Sequence, residues 1–197
     1  MTALAQALPR PRSRGGSLSV DAALVIAGSL FIAALAQVSI RLPFTPVPIT
    51  GQTLGVLLVG TAFGWLLGGL TLALYLGEIA VGLPFAAEGE AGLERLLLST
   101  PSGGYLWGFL AAAVLMGWLA TRGWDRSLRS SLGVMLLGNV VIFAFGIPWL
   151  AASLDVPVLE AFELGLYPFV VGDLLKLLVA AGLLPAAWNL VPQRRRD

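Results

Sequence analysis

Two ionisable residues lie inside a segment that is otherwise apolar enough to cross a membrane. Asp173 and Lys176 fall within residues 167–189, and an i, i+3 spacing places both side chains on one face of a helix. A charged side chain at the centre of a bilayer costs roughly 2.5–3.5 kcal/mol on insertion scales. A carboxylate and an ammonium in such a place can pair with each other or bind a polar ligand together. We interpret the pair as a candidate binding site, and an ion pair that only fixes helix packing is the alternative.

The composition is that of an integral membrane protein. Hydrophobic residues make up 57% of the 197 residues and charged residues only 12%, whereas soluble domains carry roughly 25% charged residues. The chain has no Cys and no His, which removes thiolate and imidazole metal ligands and the usual catalytic bases. The sequence also lacks the Gly-rich loop and Lys of a nucleotide-binding P-loop. We therefore expect neither an enzyme nor an ATPase, with no metal and no cofactor.

The apolar stretches predict about six transmembrane helices in one all-α bundle. A span needs roughly 17–25 residues, and clear candidates are residues 20–40, 104–120, 132–150 and 166–190. A fifth apolar region, residues 49–83, is too long for one span and short for two, and its middle, residues 64–69, is typical of a tight turn. We divide it near Gly68 because the distribution of arginines, described next, requires an even number of spans. We expect a single substrate-binding domain over residues 1–197, with polar tails at 1–18 and 191–197.

Arginines predict the orientation of this bundle. They cluster before the first span, after the last span and in one connecting loop, at Arg10, Arg12, Arg14, Arg122, Arg126, Arg129, Arg194, Arg195 and Arg196. The positive-inside rule assigns all three clusters to the cytoplasm. An even number of spans then places both termini in the cytoplasm, and the remaining loops, which carry most of the acidic residues, face outward. The basic C-terminal tail is expected to contact lipid headgroups rather than nucleic acid.

Two of the outward loops differ from simple connectors. The proline loop (residues 42–50) has three prolines, which favour a stiff and extended chain. The long loop (residues 82–103) is rich in glycine, and long loops are more often functional than mere spacers. Asp173 lies about five residues after Pro168, roughly 7–8 Å below the outer end of its helix. A site at Asp173 would therefore lie beneath these two loops.

Four segments resemble motifs of one transporter family. Residues 42–56, LPFTPVPITGQTLGV, are similar to the signature that follows the family's first helix. Residues 82–85, GLPF, and 101–105, PSGGY, resemble its third-loop motifs, and residues 168–176, PFVVGDLLK, resemble its last-helix motif. The motifs occur in the family order over residues 23–181. The chain thus resembles the BioY family, the biotin-specific S components of energy-coupling-factor (ECF) vitamin transporters.

The resemblance implies a function in the cytoplasmic membrane. Such a protein captures biotin from outside with high affinity, as a transported ligand rather than a cofactor. It docks on a transmembrane coupling protein that carries two ATPase subunits, so that uptake is driven by ATP. The alternatives are an S component for another small vitamin and a stand-alone secondary transporter. Secondary transporters often contain internal repeats, and the two halves of this sequence show no convincing repeat.

The resemblance also assigns the polar groups of biotin to Asp173 and Lys176. An ionised Asp can accept from the ureido N–H groups, and Lys can donate to the ureido oxygen or the carboxylate. Further candidate contacts come from the two loops and from aromatic residues near the outer side, namely Thr45, Gln52, Phe85, Arg95, Tyr105 and Trp149. A structural role is an equal alternative for residues 45–53. For Arg95 an ion pair with Glu90 or Glu94 is the favoured alternative.

The resemblance further implies that small residues on the first span dock the coupling protein. Ala23 and Ala27, and likewise Ser29 and Ala33, have the small-xxx-small spacing that lets helices approach closely. Packing inside the bundle is the alternative for this face. Glu78 departs from the family pattern, because it lies where the family more often has an apolar run. The sequence leaves open whether Glu78 lies near the outer interface or makes a second polar contact within the membrane.

Overall fold

The computed structural model describes residues 3–7 and 13–190, with only the backbone for Arg14 and Leu190. The arginines at 10, 12 and 194–196, which the topology prediction used, lie outside the described residues.

The described chain is almost entirely helical, and five of its helices are long and apolar enough to cross a membrane. The helices are α1 (Leu4–Ala7), α2 (Arg14–Ala36), α3 (Gln52–Ala80), α4 (Gly103–Ala120), α5 (Leu128–Leu154), α6 (Val158–Gly165) and α7 (Val170–Leu190). The five candidate spans are α2, α3, α4, α5 and α7. Helix α4 is the most buried of them and packs between α3 and α5. Helices α2 and α7 expose most of their apolar surface, as helices in contact with lipid do.

Helix α3 reverses direction at Gly64, which has φ 80° and ψ 172°. Glycine adopts positive φ readily because it has no Cβ. The two arms of α3, residues 52–63 and 65–80, lie side by side, because a Cβ added to Gly68 would lie 3.2 Å from the Cα of Gly60. In a straight helix, residues eight apart are separated by about 12 Å. The prediction of a break near Gly68 was therefore four residues too late: Gly64 makes the turn, and Gly68 permits the close approach.

The turn at Gly64 lies at one end of the bundle together with both ends of the described chain. A Cβ on Gly64 would lie 3.0 Å from Ala3 and 3.5 Å from Thr121, where α4 ends. Near the end of α7, Trp188 Nε1 donates to Asp125 Oδ2 at 2.6 Å. Asp125 belongs to the arginine-rich segment between α4 and α5, and burial raises the pKa of its carboxyl group. We call this the arginine end of the bundle.

The proline loop and the long loop lie together at the opposite end. Strands β1 (Ser39–Ile40) and β2 (Ile49–Thr50) pair in antiparallel register and close the proline loop into a hairpin. The long loop contains two short 3₁₀ turns, Ala87–Gly89 and Leu93–Leu96. Thr45 Oγ1 donates to the Leu164 carbonyl at 2.6 Å, which joins the proline loop to the segment just before α7. These contacts position both loops over the beginning of α7, where Asp173 lies.

Candidate functional site

A cavity lies beneath the two loops and reaches the first turn of α7. Together with its open mouth it encloses about 660 Å³ of space that no protein atom fills. Its lining residues are Val47, Pro48, Thr50, Gln52, Thr53, Ala86, Ala87, Glu90, Arg95, Ser102, Tyr105, Leu106, Phe109, Ile142, Phe143, Phe169 and Asp173. Four of the eight predicted ligand contacts, Gln52, Arg95, Tyr105 and Asp173, are among them. The lining is mostly apolar with a few polar groups, as in many ligand sites.

Asp173 and Lys176 form an ion pair at one side of this cavity. Lys176 Nζ donates to Asp173 Oδ1 at 2.9 Å, and Asp173 is only 6% exposed. Asp173 lies in the first turn of α7, where the partial positive charge of a helix N-terminus favours a carboxylate. Lys176, although partly buried beside it, is not a lining residue of the cavity. The structure therefore brings the pair together but presents only the carboxylate to the cavity.

Gln52 belongs to a buried chain of hydrogen bonds that joins both loops to α3. Its Oε1 accepts from the Thr50 hydroxyl at 3.0 Å, and its Nε2 donates to the Tyr75 hydroxyl at 2.5 Å. The Tyr75 hydroxyl in turn donates to the Phe85 carbonyl at 2.8 Å. An amide group has two N–H donors and two acceptor lone pairs, so Gln52 keeps capacity for a ligand. Sequence reasoning missed Tyr75, although a tyrosine in an apolar run signals a buried hydroxyl that needs a partner.

Tyr105 forms an aromatic wall of the cavity. Its ring stacks on Phe169 with centroids 6.4 Å apart and meets Phe143 edge-on at 6.1 Å. Its hydroxyl donates to the Gly165 carbonyl at 2.8 Å. Because the hydroxyl and the ring are both held, this wall is rigid and suits the apolar part of a ligand.

Arg95 and Glu90 line the cavity as a pair. Arg95 Nη1 donates to Glu90 Oε2 at 2.6 Å, which is the ion pair that the sequence favoured. The Nε atom of Arg95 is buried and has no hydrogen-bond partner among the described residues. Arg95 therefore lines the cavity with a guanidinium of which one nitrogen is bound within the loop.

Thr45, Phe85 and Trp149 are absent from the lining of the cavity. The Thr45 hydroxyl holds the proline loop to Leu164, and the Phe85 carbonyl receives the hydrogen bond from Tyr75. Trp149 Nε1 donates to the Thr100 carbonyl at 3.0 Å, which fixes the end of the long loop. Their polar contacts hold the loops in place, and the structure gives no support to these three as ligand contacts.

The predicted docking face on α2 divides into two faces. Ala23 and Ala27 lie exposed on the outside of the bundle, whereas Ser29 and Ala33 are buried inside it. The Ser29 hydroxyl donates to Glu78 Oε1 on α3 at 3.2 Å. A step of six residues turns about 240° around a helix, so the two pairs point to different sides. For Ser29 and Ala33 this burial favours the alternative, packing inside the bundle, and Glu78 makes a polar contact between α2 and α3.

A third ion pair joins Arg41, next to the proline loop, to Glu88 at the outer side of the long loop, which we call the rim. Arg41 Nε donates to Glu88 Oε1 at 3.0 Å, and Arg41 Nη2 donates to Glu88 Oε2. The bonds from Arg41 lower the pKa of Glu88 from its ordinary value of 4.5. A lowered pKa in the folded state stabilises the pair at neutral pH, and this contribution is lost as the pH falls through that lowered value. The Glu88 carboxyl group is therefore ionised at neutral pH.

Comparisons with known proteins agree in family and in fold. Residues 9–193 match the family model described as the BioY family. The chain is 34% identical over 165 residues to "Biotin transporter BioY" of Rhizobium etli, covering 79% of this chain and 87% of that protein. It is 37% identical over 142 residues to the protein of the same name from Thermotoga maritima, covering 72% and 81%. The crystal structure of the S-component for biotin from an ECF-type ABC transporter aligns with TM-score 0.81 at 23% identity, over 91% of this chain and 95% of that one.

Tyr75→Phe tests the hydrogen-bond chain that fixes the long loop. The change removes one hydroxyl and leaves Gln52 Nε2 and the Phe85 carbonyl each without a partner, at a cost of about 1–3 kcal/mol. We expect faster amide hydrogen exchange over residues 84–90 and a lower midpoint of thermal unfolding in detergent. Tyr167→Phe is the matched control, because Tyr167 is exposed. Equal exchange in both variants would contradict a tethering role for Tyr75.

Proposed function

The chain belongs to the BioY family, and we propose that it captures biotin from outside the cell as the substrate-specific subunit of an ECF-type importer. It is a multi-pass membrane protein. The observation that carries the proposal is the cavity beneath the two loops, which combines a buried carboxylate, an amide, a guanidinium and aromatic walls. Relatives that cover most of this chain are named biotin transporters.

The chemistry of the cavity fits the three parts of biotin. The ureido ring offers two N–H donors and a carbonyl, for which the Asp173 carboxylate and the Gln52 amide are suitable partners. The apolar bicycle suits the wall formed by Tyr105, Phe143 and Phe169. The carboxylate at the end of the valeryl chain suits the guanidinium of Arg95, which lines the cavity. Lys176 acts by pairing with Asp173 and holding its carboxyl group in place.

Calorimetry on the purified chain in detergent tests this function directly. We expect binding of biotin without nucleotide and without any other subunit, and no binding of thiamine or riboflavin. Binding of another vitamin in place of biotin would contradict biotin as the substrate, but the proposal that the chain captures a vitamin would stand. No binding of any of the three would contradict the function itself.

The Asp173–Lys176 pair is tested by changing both residues. Asp173→Asn and Lys176→Met each leave one charge buried without its partner, so each single variant should lose stability. The double variant should recover most of that stability and still lose affinity. A lost charge-assisted contact is worth roughly 1.5–3 kcal/mol, which is one to two decades in Kd. A stable double variant that binds biotin within about threefold of the parent would refute a ligand role for the pair.

We also propose that α3 crosses the membrane as a hairpin, which gives six transmembrane segments with both termini in the cytoplasm. Support comes from the turn at Gly64, which lies beside Ala3 and Thr121 at the arginine end. The positive-inside rule assigns this end to the cytoplasm. Single cysteines introduced at Ser127 and Glu88 test the orientation in intact cells. A membrane-impermeant thiol reagent should label the cysteine at position 88 and spare that at 127, and labelling of position 127 would overturn the topology.

The exposed part of the small-residue face is proposed to dock a transmembrane coupling protein with its two ATPase subunits. Ala23 and Ala27 are exposed and let another helix approach closely. Ala27→Trp should therefore lower ATP-dependent biotin uptake severalfold and leave biotin binding by the isolated chain unchanged. Ala33→Trp is the contrasting variant, because Ala33 is buried and a large side chain there should destabilise the bundle. Normal uptake by Ala27→Trp would exclude this face from docking.

A further inference from the structure

The guanidinium that faces the cavity is already bound to a carboxylate of the same cavity. Glu90 and Arg95 both line it, and their side chains are 37% and 29% exposed. Arg95 Nη1 donates to Glu90 Oε2 at 2.6 Å, while Arg95 Nε is buried without a partner among the described residues. Guanidinium has five N–H donors. A ligand carboxylate that enters the cavity can therefore bind N–H donors of Arg95 that Glu90 leaves free, and it would then lie close to the carboxylate of Glu90.

The charges around the cavity determine how strongly Glu90 would repel a ligand carboxylate that lies beside it. The charged lining residues are Glu90, Arg95 and Asp173, and Lys176 pairs with Asp173 from outside the lining. The formal charge of these four groups is zero before a ligand enters. A ligand carboxylate adds one negative charge beside Glu90, and the partly buried surroundings screen the repulsion less than bulk water does. An uncharged amide of the same ligand adds no such charge.

We propose that Glu90 is a selectivity residue, which weakens the binding of carboxylate ligands relative to their uncharged amides by sharing Arg95 with them. This inference rests on the proposed function, in which Arg95 meets the carboxylate of biotin. It assigns a role to one acidic residue of the long loop. The cavity then binds an anionic ligand less tightly than Arg95 alone would allow, and it tolerates a neutral group at the same position.

Glu90→Gln removes the negative charge at position 90 and keeps a side chain of the same size in the same place. The Gln carbonyl can still accept from Arg95 Nη1, so Arg95 keeps its partner while the negative charge disappears. We expect the Kd for biotin to fall roughly three- to tenfold and the Kd for biotinamide to stay within about twofold. Glu94→Gln is the matched control, because Glu94 is an exposed carboxylate of the same loop outside the lining. It should change neither Kd.

The proposal is tested by the ratio of the Kd for biotin to the Kd for biotinamide, measured for each variant. Partial loss of folded protein lowers the measured capacity for both ligands alike, so the ratio remains meaningful for an unstable variant. Glu90→Ala provides a second measurement, and its ratio should shift in the same direction. Weaker biotin binding by Glu90→Gln, or an equal change for acid and amide, would overturn the proposal. If the parent chain binds neither ligand, the proposed function itself fails.

Discussion

The reversal of α3 at Gly64 sets the register on which the site depends. Gly60 and Gly68 lie side by side, four residues before and after the turn. Further along the two arms, Gln52 and Tyr75 come together, twelve residues before and eleven residues after the turn, and the amide donates to the hydroxyl at 2.5 Å. Since Tyr75 also holds the Phe85 carbonyl, one glycine turn at the arginine end determines where the long loop is anchored at the other. A shift of one residue would rotate Tyr75 by about 100° and break the chain of hydrogen bonds.

Charge is tolerated near the cavity because each charged lining group has a partner. Asp173 has Lys176 within its own helix and the favourable end of the helix dipole. Arg95 has Glu90 five residues earlier in the long loop. The two pairs leave the empty cavity close to neutral, which limits the desolvation penalty that isolated buried charges would carry. A ligand with polar groups at both ends and an apolar middle can then exchange hydrogen bonds with these pairs without opening the bundle.

The sequence predicted the features that depend on local pattern and missed those that depend on packing. Apolar length identified α2, α4, α5 and α7, and the i, i+3 spacing correctly brought Asp173 and Lys176 together. The turn in α3 was misplaced because several glycines occur in residues 64–69 and only the packed structure distinguishes which one takes positive φ. Ser29 and Ala33 have the spacing of a docking face, but spacing alone does not tell which side of α2 meets the bundle. Thr45 and Trp149 carry groups suited to a ligand, yet loop carbonyls take their hydrogen bonds.

The contacts of the long loop differ in strength between its base, where Tyr75 of α3 holds Phe85, and its rim, where Glu88 meets Arg41. At the base, the Tyr75–Phe85 bond is buried, where loss of a partner leaves a polar group without water. At the rim, Arg41 and Glu88 form an exposed pair, and such pairs contribute little because water and salt screen them. Gln37 Nε2 adds a bond to the Ala86 carbonyl at 3.2 Å. The rim can therefore open at small cost while the base keeps its geometry.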